Sequence, residues 1–83
     1  MTAQGLRELL AGDKLTGREL QALHGAALGE TAAQTAERLS LEPETVRQHR
    51  KTACAKLDSR GITRAVVVAI AVGALDISRL VDV

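Results

Sequence analysis

Apolar side chains recur at helical spacing along most of the chain, in short segments separated by glycines and polar residues. The first segment, residues 2–11, carries leucines on one face and stops at Gly12, which predicts a short amphipathic helix. The next helix is predicted to begin at Thr16, because Thr16 and Glu19 have the T-x-x-E spacing of a capping box. Gly29 ends it, and its apolar stripe consists of Leu20, Leu23, Ala27 and Leu28.

Two further helices follow, separated by a turn of only three residues. The first is predicted over residues 32–39, with Thr31 as its N-cap. After the turn at residues 40–42, Pro43 suits the first position of a new helix, where its missing N–H would be unpaired in any case. This helix runs to about residue 57, and its predicted inward side chains are Val46, Ala53 and Leu57.

The last predicted helix spans residues 64–72, after a break at Gly61, with Thr63 as its cap and Gly73 at its end. Its three consecutive valines favour a strand when taken alone, but they lie within a helical pattern, so no strand is predicted. We therefore expect an all-α fold, a small four-helix bundle of the helix-turn-helix type with an extra short N-terminal helix.

The composition indicates one small globular domain. The chain has 83 residues, of which 46% are hydrophobic and 25% charged, a balance typical of folded chains. Phe, Tyr and Trp are absent, so the core must be built from Leu, Val, Ile and Ala, which favours closely packed helices. A domain of this size buries only about 60–65% of its unfolded surface, so its stability margin is small and a partner subunit would increase it.

Several classes of function lack support in the sequence. One cysteine excludes an internal disulfide, and the Cys and His residues lack metal-ligand spacing, so no metal or other cofactor is predicted. No nucleophile–base arrangement or close carboxylate pair is recognisable, so an enzyme is not expected. The N-terminal residues do not form a secretory signal, and the apolar run over residues 65–75 is shorter than the roughly 18 residues of a membrane span. We expect a cytoplasmic protein without a membrane or small-molecule partner.

Positive charge is concentrated in one quarter of the chain. Residues 44–64 contain six basic and two acidic residues, a net charge of +4, whereas the rest of the chain carries −3. In a major groove, Arg and Lys side chains pair with guanine edges and Gln with adenine. The pattern favours a nucleic-acid-binding face, although a solvated basic helix has the same composition. The polar residues of the 43–57 helix that face away from its inward side are Glu44, Arg47, Gln48 and Lys51, with Arg50 at the flank.

Five parts of the sequence match one family pattern: LTGREL (15–20), Gly29, AERLSLEPETVRQHRK (36–51), KL (56–57) and RAVVVAI-VG-L (64–75). Through them the chain resembles the DNA-binding domain of LuxR-type (GerE-like) transcriptional regulators, found in bacteria and phages. The resemblance implies a four-helix bundle whose third helix enters the major groove and whose fourth helix commonly supplies a dimer contact. On this basis we expect an N-terminal helix extension over residues 1–13, the domain over 14–75 and a C-terminal tail over 76–83.

The resemblance also implies roles for individual side chains. The residues at base-reading positions are Arg47, Gln48 and Lys51. The residues at phosphate-contacting positions are Thr31, Thr45, His49 and Arg50, and Lys56 and Arg60 add positive charge near the DNA backbone. Glu19 matches an acidic position of the family, for which we expect a structural role.

Three positions depart from the family pattern. Thr35 replaces a large aliphatic residue and Gln34 replaces the usual Glu, so we expect looser packing of the helix over residues 32–39. Ile62 stands where Arg is frequent, which removes one expected salt bridge or phosphate contact.

Three further side chains, two histidines and the cysteine, could in principle carry special chemistry. His49 is either a half-buried histidine or a phosphate contact, and Cys54 is either a packing residue on the flank of its helix or a redox sensor. His24 is expected on a helix surface without a special role. None of the three is placed for catalysis.

The last helix is apolar on two opposite faces. The residues expected to join the core are Val66, Ala69, Ile70 and Gly73. The residues of the opposite face, and so of the expected dimer interface, are Val67, Val68, Ala71 and Leu75. Because the outer face of a surface helix in a monomer should be polar, a two-fold partner is the simplest explanation. The competing explanation is that the N-terminal helix or the tail over residues 76–83 covers this face.

Together these features predict a sequence-specific double-stranded DNA-binding transcriptional regulator that acts as a homodimer on a palindromic site, with residues 43–57 in the major groove. The alternative is a protein-interaction module that keeps the same fold and binds an RNA polymerase subunit or another regulator. Sequence-selective DNA binding with a steep salt dependence favours the regulator. Weak, salt-insensitive DNA binding with capture of a polymerase component favours the interaction module.

Overall fold

A computed structural model describes residues 15–76, which fold into four α-helices without a strand in that part of the chain. The helices are α1 (Gly17–Ala27), α2 (Ala32–Leu39), α3 (Pro43–Lys56) and α4 (Ile62–Ala71). The prediction of a small all-α bundle is confirmed. The predicted N-terminal helix over residues 2–11 and the tail after residue 76 lie outside the described residues. None of the four helices is both long enough and apolar enough to cross a membrane.

The first two helices both begin with complete capping boxes. In α1, Thr16 Oγ1 accepts from the Glu19 N–H at 3.1 Å and Glu19 Oε1 accepts from the Thr16 N–H at 2.8 Å. In α2, Thr31 and Gln34 make the same reciprocal pair at 3.1 and 2.8 Å. The predicted caps are confirmed, and Gln34 satisfies the N-terminus of α2 just as a glutamate would.

Three short turns connect the helices. Gly29, at φ +83°, follows α1, and Ser40, at φ 57°, ends α2 in the left-handed conformation. Pro43 occupies the first position of α3, as predicted. The start of α4 differs from the prediction, because Gly61 is its N-cap and Thr63 lies inside the first turn without capping it.

The core consists almost entirely of small and aliphatic side chains in two clusters. One contains Leu23, Ala53, Leu57, Ala65, Ala69 and Leu75. The other, smaller cluster contains Ala22, Ala36 and Val46 and lies between α1, α2 and α3. The three predicted inward residues of α3 are all at most 1% exposed, so the inner face of this helix is confirmed. Alanines at the contacts allow the helix backbones to approach closely.

The predicted outer face of α4 is wrong at Leu75, which is only 8% exposed and belongs to the larger core cluster. The helix ends at Ala71, and Gly73, at φ +80°, redirects the chain so that the N–H groups of Ala74 and Leu75 both donate to the Ala69 carbonyl, at 2.8 and 3.1 Å. A helical projection therefore does not apply to residue 75. Val68 is half-buried against the same cluster, whereas Val67 remains 60% exposed.

Candidate nucleic-acid interface

The α2–turn–α3 unit is held together by a short connection and a small apolar contact. The N–H of Leu41 donates to the Ala36 carbonyl at 2.8 Å, which closes the end of α2. Leu41 then packs, half-buried, against the cluster that contains Val46. Since Val46 is completely buried, the first two turns of α3 present their opposite face to solvent.

The exposed face of α3 carries the three predicted base-reading residues. Arg47, Gln48 and Lys51 are all exposed, and Lys51 follows Arg47 by about one helical turn on the same face. Arg47 makes a 3.2 Å ion pair with Glu44, whose side chain is 82% exposed. Surface pairs of this kind are weak, so a base edge or a phosphate can replace Glu44 as the partner of Arg47.

The predicted phosphate-contacting residues fall into different environments. Thr45 and Arg60 are exposed, and His49 is half-buried on α3. Thr31 is also exposed, but its hydroxyl oxygen already accepts a bond as the N-cap of α2. Beyond the prediction, Arg64 lines a shallow pocket together with Arg60 at the α3–α4 turn. In the sequence analysis, Arg64 contributes to the charge count of residues 44–64 but is not assigned a DNA contact.

Arg50, an expected phosphate contact, turns toward the interior of the free domain. Its Nε donates to the Ala22 carbonyl at 3.2 Å, and its Nη2 donates to the Glu30 carbonyl at 3.2 Å and to Thr35 Oγ1 at 2.9 Å. Burial lowers the pKa of the guanidinium, an effect that the nearby Glu30 carboxylate opposes. The side chain therefore points into the domain, because three interior acceptors compete with solvent for its donors.

The surroundings of Thr35, where looser packing was expected, are polar. Thr35 is fully buried, and its hydroxyl donates to Glu30 Oε1 at 2.9 Å while accepting from Arg50. Arg38 donates to both oxygens of Glu30, at 2.8 Å from Nη2 to Oε1 and 3.0 Å from Nε to Oε2. The bonds from Arg38 lower the pKa of Glu30, despite its burial, and the Thr35 bond adds to this effect. A connected set of hydrogen bonds thus takes the place of the usual aliphatic contact.

Lys56 also points toward the protein. Its Nζ donates to Glu19 Oε1 at 2.9 Å, and the two side chains are only 18% and 6% exposed. Burial alone would raise the pKa of Glu19, but the N–H of Thr16 and the Lys56 ammonium together lower it. The structural role expected for Glu19 is therefore present in the geometry, since one carboxylate caps α1 and ties it to the end of α3. In the free domain, the Lys56 ammonium, which was expected near the DNA backbone, makes this ion pair.

We expect Lys56→Met to lower the free energy of unfolding by about 1–3 kcal/mol at neutral pH, because it leaves a buried carboxylate without its charged partner. The pKa of Glu19 is lower in the folded than in the unfolded chain. The stability that ionised Glu19 contributes is therefore fully present above its pKa in the unfolded chain. It is lost as the pH falls through its lower pKa in the folded chain. Urea unfolding followed by circular dichroism, at neutral pH and below about pH 4, measures both effects.

Lys51→Met is the matched control for this prediction, because Lys51 is exposed on the same helix. The free energy of unfolding of Lys51→Met should be close to that of the wild type and should change with pH in the same way. The role given to the Lys56–Glu19 pair is wrong if the two methionine variants have the same stability at neutral pH.

Cys54, His24 and Ile62 are all at least partly buried in the domain. Cys54 is half-buried against the larger core cluster, and burial raises the pKa of its thiol, which favours a packing role over redox sensing. His24 was expected on the surface, but it is half-buried and its Nε2 is covered, without a hydrogen-bond partner among the described residues. Ile62 begins α4 and packs against the larger cluster, so an apolar contact stands where a charged one was expected.

The geometry defines a helix-turn-helix protein: two helices joined by a three-residue turn, the second with one buried face and one exposed polar face. Residues 13–69 match the family model described as bacterial regulatory proteins, luxR family. This match covers more than half of the chain, which therefore belongs to the luxR family of DNA-binding regulators. No curated protein and no solved structure gives a significant match.

Proposed function

We propose that this chain regulates transcription by binding double-stranded DNA sequence-specifically as a homodimer, with α3 as the recognition helix in the major groove. The observation that supports this most directly is the division of α3 into two faces. Its inner face contains Val46 and Ala53, both fully buried, while Arg47, Gln48 and Lys51 are exposed on the outer face. A helix anchored in this way can present several side chains to base edges at once.

The chemistry of the exposed side chains suits base reading. Arg47 and Lys51 can donate to guanine O6 and N7, and the Gln48 amide can both donate to and accept from adenine. We assign phosphate contacts to Thr31, Thr45, His49 and Arg60, which supply affinity and register but little sequence preference. Arg50 and Lys56 are left out of this set because their donors bind interior acceptors.

A homodimer through α4 is supported by apolar surface on that helix. Val67 is 60% exposed and Ala71 is exposed one helical turn later, on a helix with no charged residue after Arg64. The half-buried Val68 borders this surface, whereas Leu75 is part of the monomer's own core. Two such domains related by a two-fold axis would place their recognition helices in successive major grooves of a palindromic site.

Selection of bound duplexes from a random DNA pool, followed by titration of the enriched duplex across a salt series, tests the proposal. We expect a palindromic sequence to be enriched and the affinity to fall steeply with salt, with a log–log slope of about −0.9 for each phosphate contact. Absence of an enriched sequence, together with a shallow salt dependence, would contradict DNA-based regulation and favour a protein-binding role for the same fold.

We expect Val67→Glu to dissociate the dimer, because it places a carboxylate in an apolar contact against its own copy. The monomer should remain folded, since Val67 is largely exposed. Sedimentation equilibrium without DNA measures the mass. Ala33→Glu, which changes an exposed alanine of α2 in the same way, is the control and should leave the dimer intact. An unchanged mass for Val67→Glu would contradict the α4 interface.

A further inference from the structure

Arg50 points into the domain although its exposed neighbours along α3 point outward. It lies between two predicted base-reading residues, Gln48 and Lys51, but its guanidinium reaches inward to three separate parts of the chain. These are α1 through the Ala22 carbonyl, the α1–α2 turn through the Glu30 carbonyl, and α2 through Thr35 Oγ1. One planar group thus joins the recognition helix to α1, to the α1–α2 turn and to α2.

We propose that Arg50 is a positioning residue for base reading, which sets the rotation of α3 about its own axis and thereby the aim of Arg47, Gln48 and Lys51. This inference rests on the proposed DNA-binding function. It assigns Arg50 an indirect role in sequence preference and none in contacting phosphate.

The apolar contacts near Arg50 constrain this rotation less than its hydrogen bonds do. The cluster beneath the first half of α3 consists of Ala22, Ala36 and Val46, with only half-buried Ala32 and Leu41 around it. Contacts between such short side chains are not directional, so a small roll of the helix changes their energy little. Three hydrogen bonds from a planar guanidinium have fixed directions and resist the same roll.

Thr35 links Arg50 to Glu30 by donating one hydrogen bond and accepting another. Its hydroxyl donates its proton to Glu30 Oε1 at 2.9 Å, so its lone pairs are left to accept from Arg50 Nη2. Glu30 is itself held by Arg38 at 2.8 Å. Thr35 is fully buried and cannot touch DNA. Any effect of Thr35 on base preference must therefore pass through the packing of α3.

The experiment uses two variants that keep the charge of the domain. Arg50→Lys retains the positive charge but cannot donate in three fixed directions, and Thr35→Val keeps the side-chain shape but removes the hydroxyl. The measured quantity is the ratio of affinities for the selected duplex and for a duplex with one changed base pair, together with the salt slope. Binding is measured below the unfolding midpoint of each variant, which circular dichroism determines first.

If Arg50 positions α3, both variants reduce the affinity ratio, by about tenfold for Arg50→Lys, the size of one lost base contact, and less for Thr35→Val. Their salt slopes stay at the wild-type value. If Arg50 contacts phosphate instead, Arg50→Lys and Thr35→Val keep the ratio, and Arg50→Met weakens binding to all duplexes equally while its slope falls by about 1. That result would overturn the proposal.

Arg60→Met is the matched control for loss of an exposed charge. It should weaken binding to all duplexes equally and reduce the salt slope. A wild-type protein without sequence preference would refute the proposed function and this inference with it. A wild-type preference that both variants retain would refute only the positioning role of Arg50.

Discussion

Replacement of Gly25 by alanine is expected to lower the free energy of unfolding by about 2 kcal/mol. Gly25 is buried in α1, and a Cβ atom there would lie 2.9 Å from both Thr35 Cγ2 and Glu30 Oε1 and would overlap Thr35 Oγ1. Rotation of the β-branched Thr35 only exchanges one clashing atom for the other. The hydrogen bonds to Glu30 and Arg50 would also be displaced, and this loss exceeds the roughly 1 kcal/mol that alanine adds through helix propensity.

Urea unfolding followed by far-ultraviolet circular dichroism measures this effect in a chain without Trp or Tyr. Gly17→Ala is the control, since no atom lies within 4 Å of a Cβ atom at residue 17. Its stability should be unchanged or slightly increased. In the double variant Gly25→Ala/Thr35→Ala, the destabilisation should be smaller than the sum of the two single effects, because the clash is removed. Equal stability of the two glycine variants would show that the α1–α2 contact is looser than the structure indicates.

The second large effect concerns Arg47. We expect Arg47→Ala to weaken binding to the selected duplex by about 1–3 kcal/mol and to relax the preference at one base pair. Two causes act together, because the variant removes a donor to a base edge and also leaves the Glu44 carboxylate, 3.2 Å from Arg47 Nη1 in the free domain, without its cation. Titration of duplexes that carry each of the four base pairs at every position locates the contact.

Arg18→Ala is the control for this measurement, because it removes the same charge from an exposed position on α1. It should leave the base preference unchanged. A loss of affinity for Arg47→Ala that is equal on every duplex would assign Arg47 to phosphate instead of a base. The Glu44→Gln/Arg47→Ala double variant then separates the loss of the donor from the repulsion by Glu44.

Local patterns in the sequence predicted most of the fold. The capping box at Thr16, the N-cap at Thr31 and the first helical position of Pro43 all depend on groups within a few residues, so the sequence pattern is sufficient for them. The prediction was wrong where two residues compete for the same role. Gly61 displaced Thr63 as the N-cap of α4, so that helix begins two residues earlier than expected.

The candidate site was predicted in part. The outward direction of Arg47, Gln48 and Lys51 follows from helical periodicity once the inner face of α3 is known. The inward direction of Arg50 does not, because it depends on acceptors 15 to 28 residues away in the chain. The expectation of looser packing at Thr35 rests on the missing aliphatic side chain, and no local pattern in the sequence indicates its hydrogen bonds to Glu30 and Arg50.

Interactions within about one helical turn account for the helices of this domain, most of their caps, the three-residue turn and the polar face of α3, so local patterns are enough to predict them. Which cations of α3 remain available to a partner depends on contacts between helices. Arg47 and Lys51 stay exposed, whereas Arg50 and Lys56 are held by acceptors on α1, the α1–α2 turn and α2. Long, flexible cationic side chains bind the strong acceptors that lie within their reach. The fold determines where those acceptors lie.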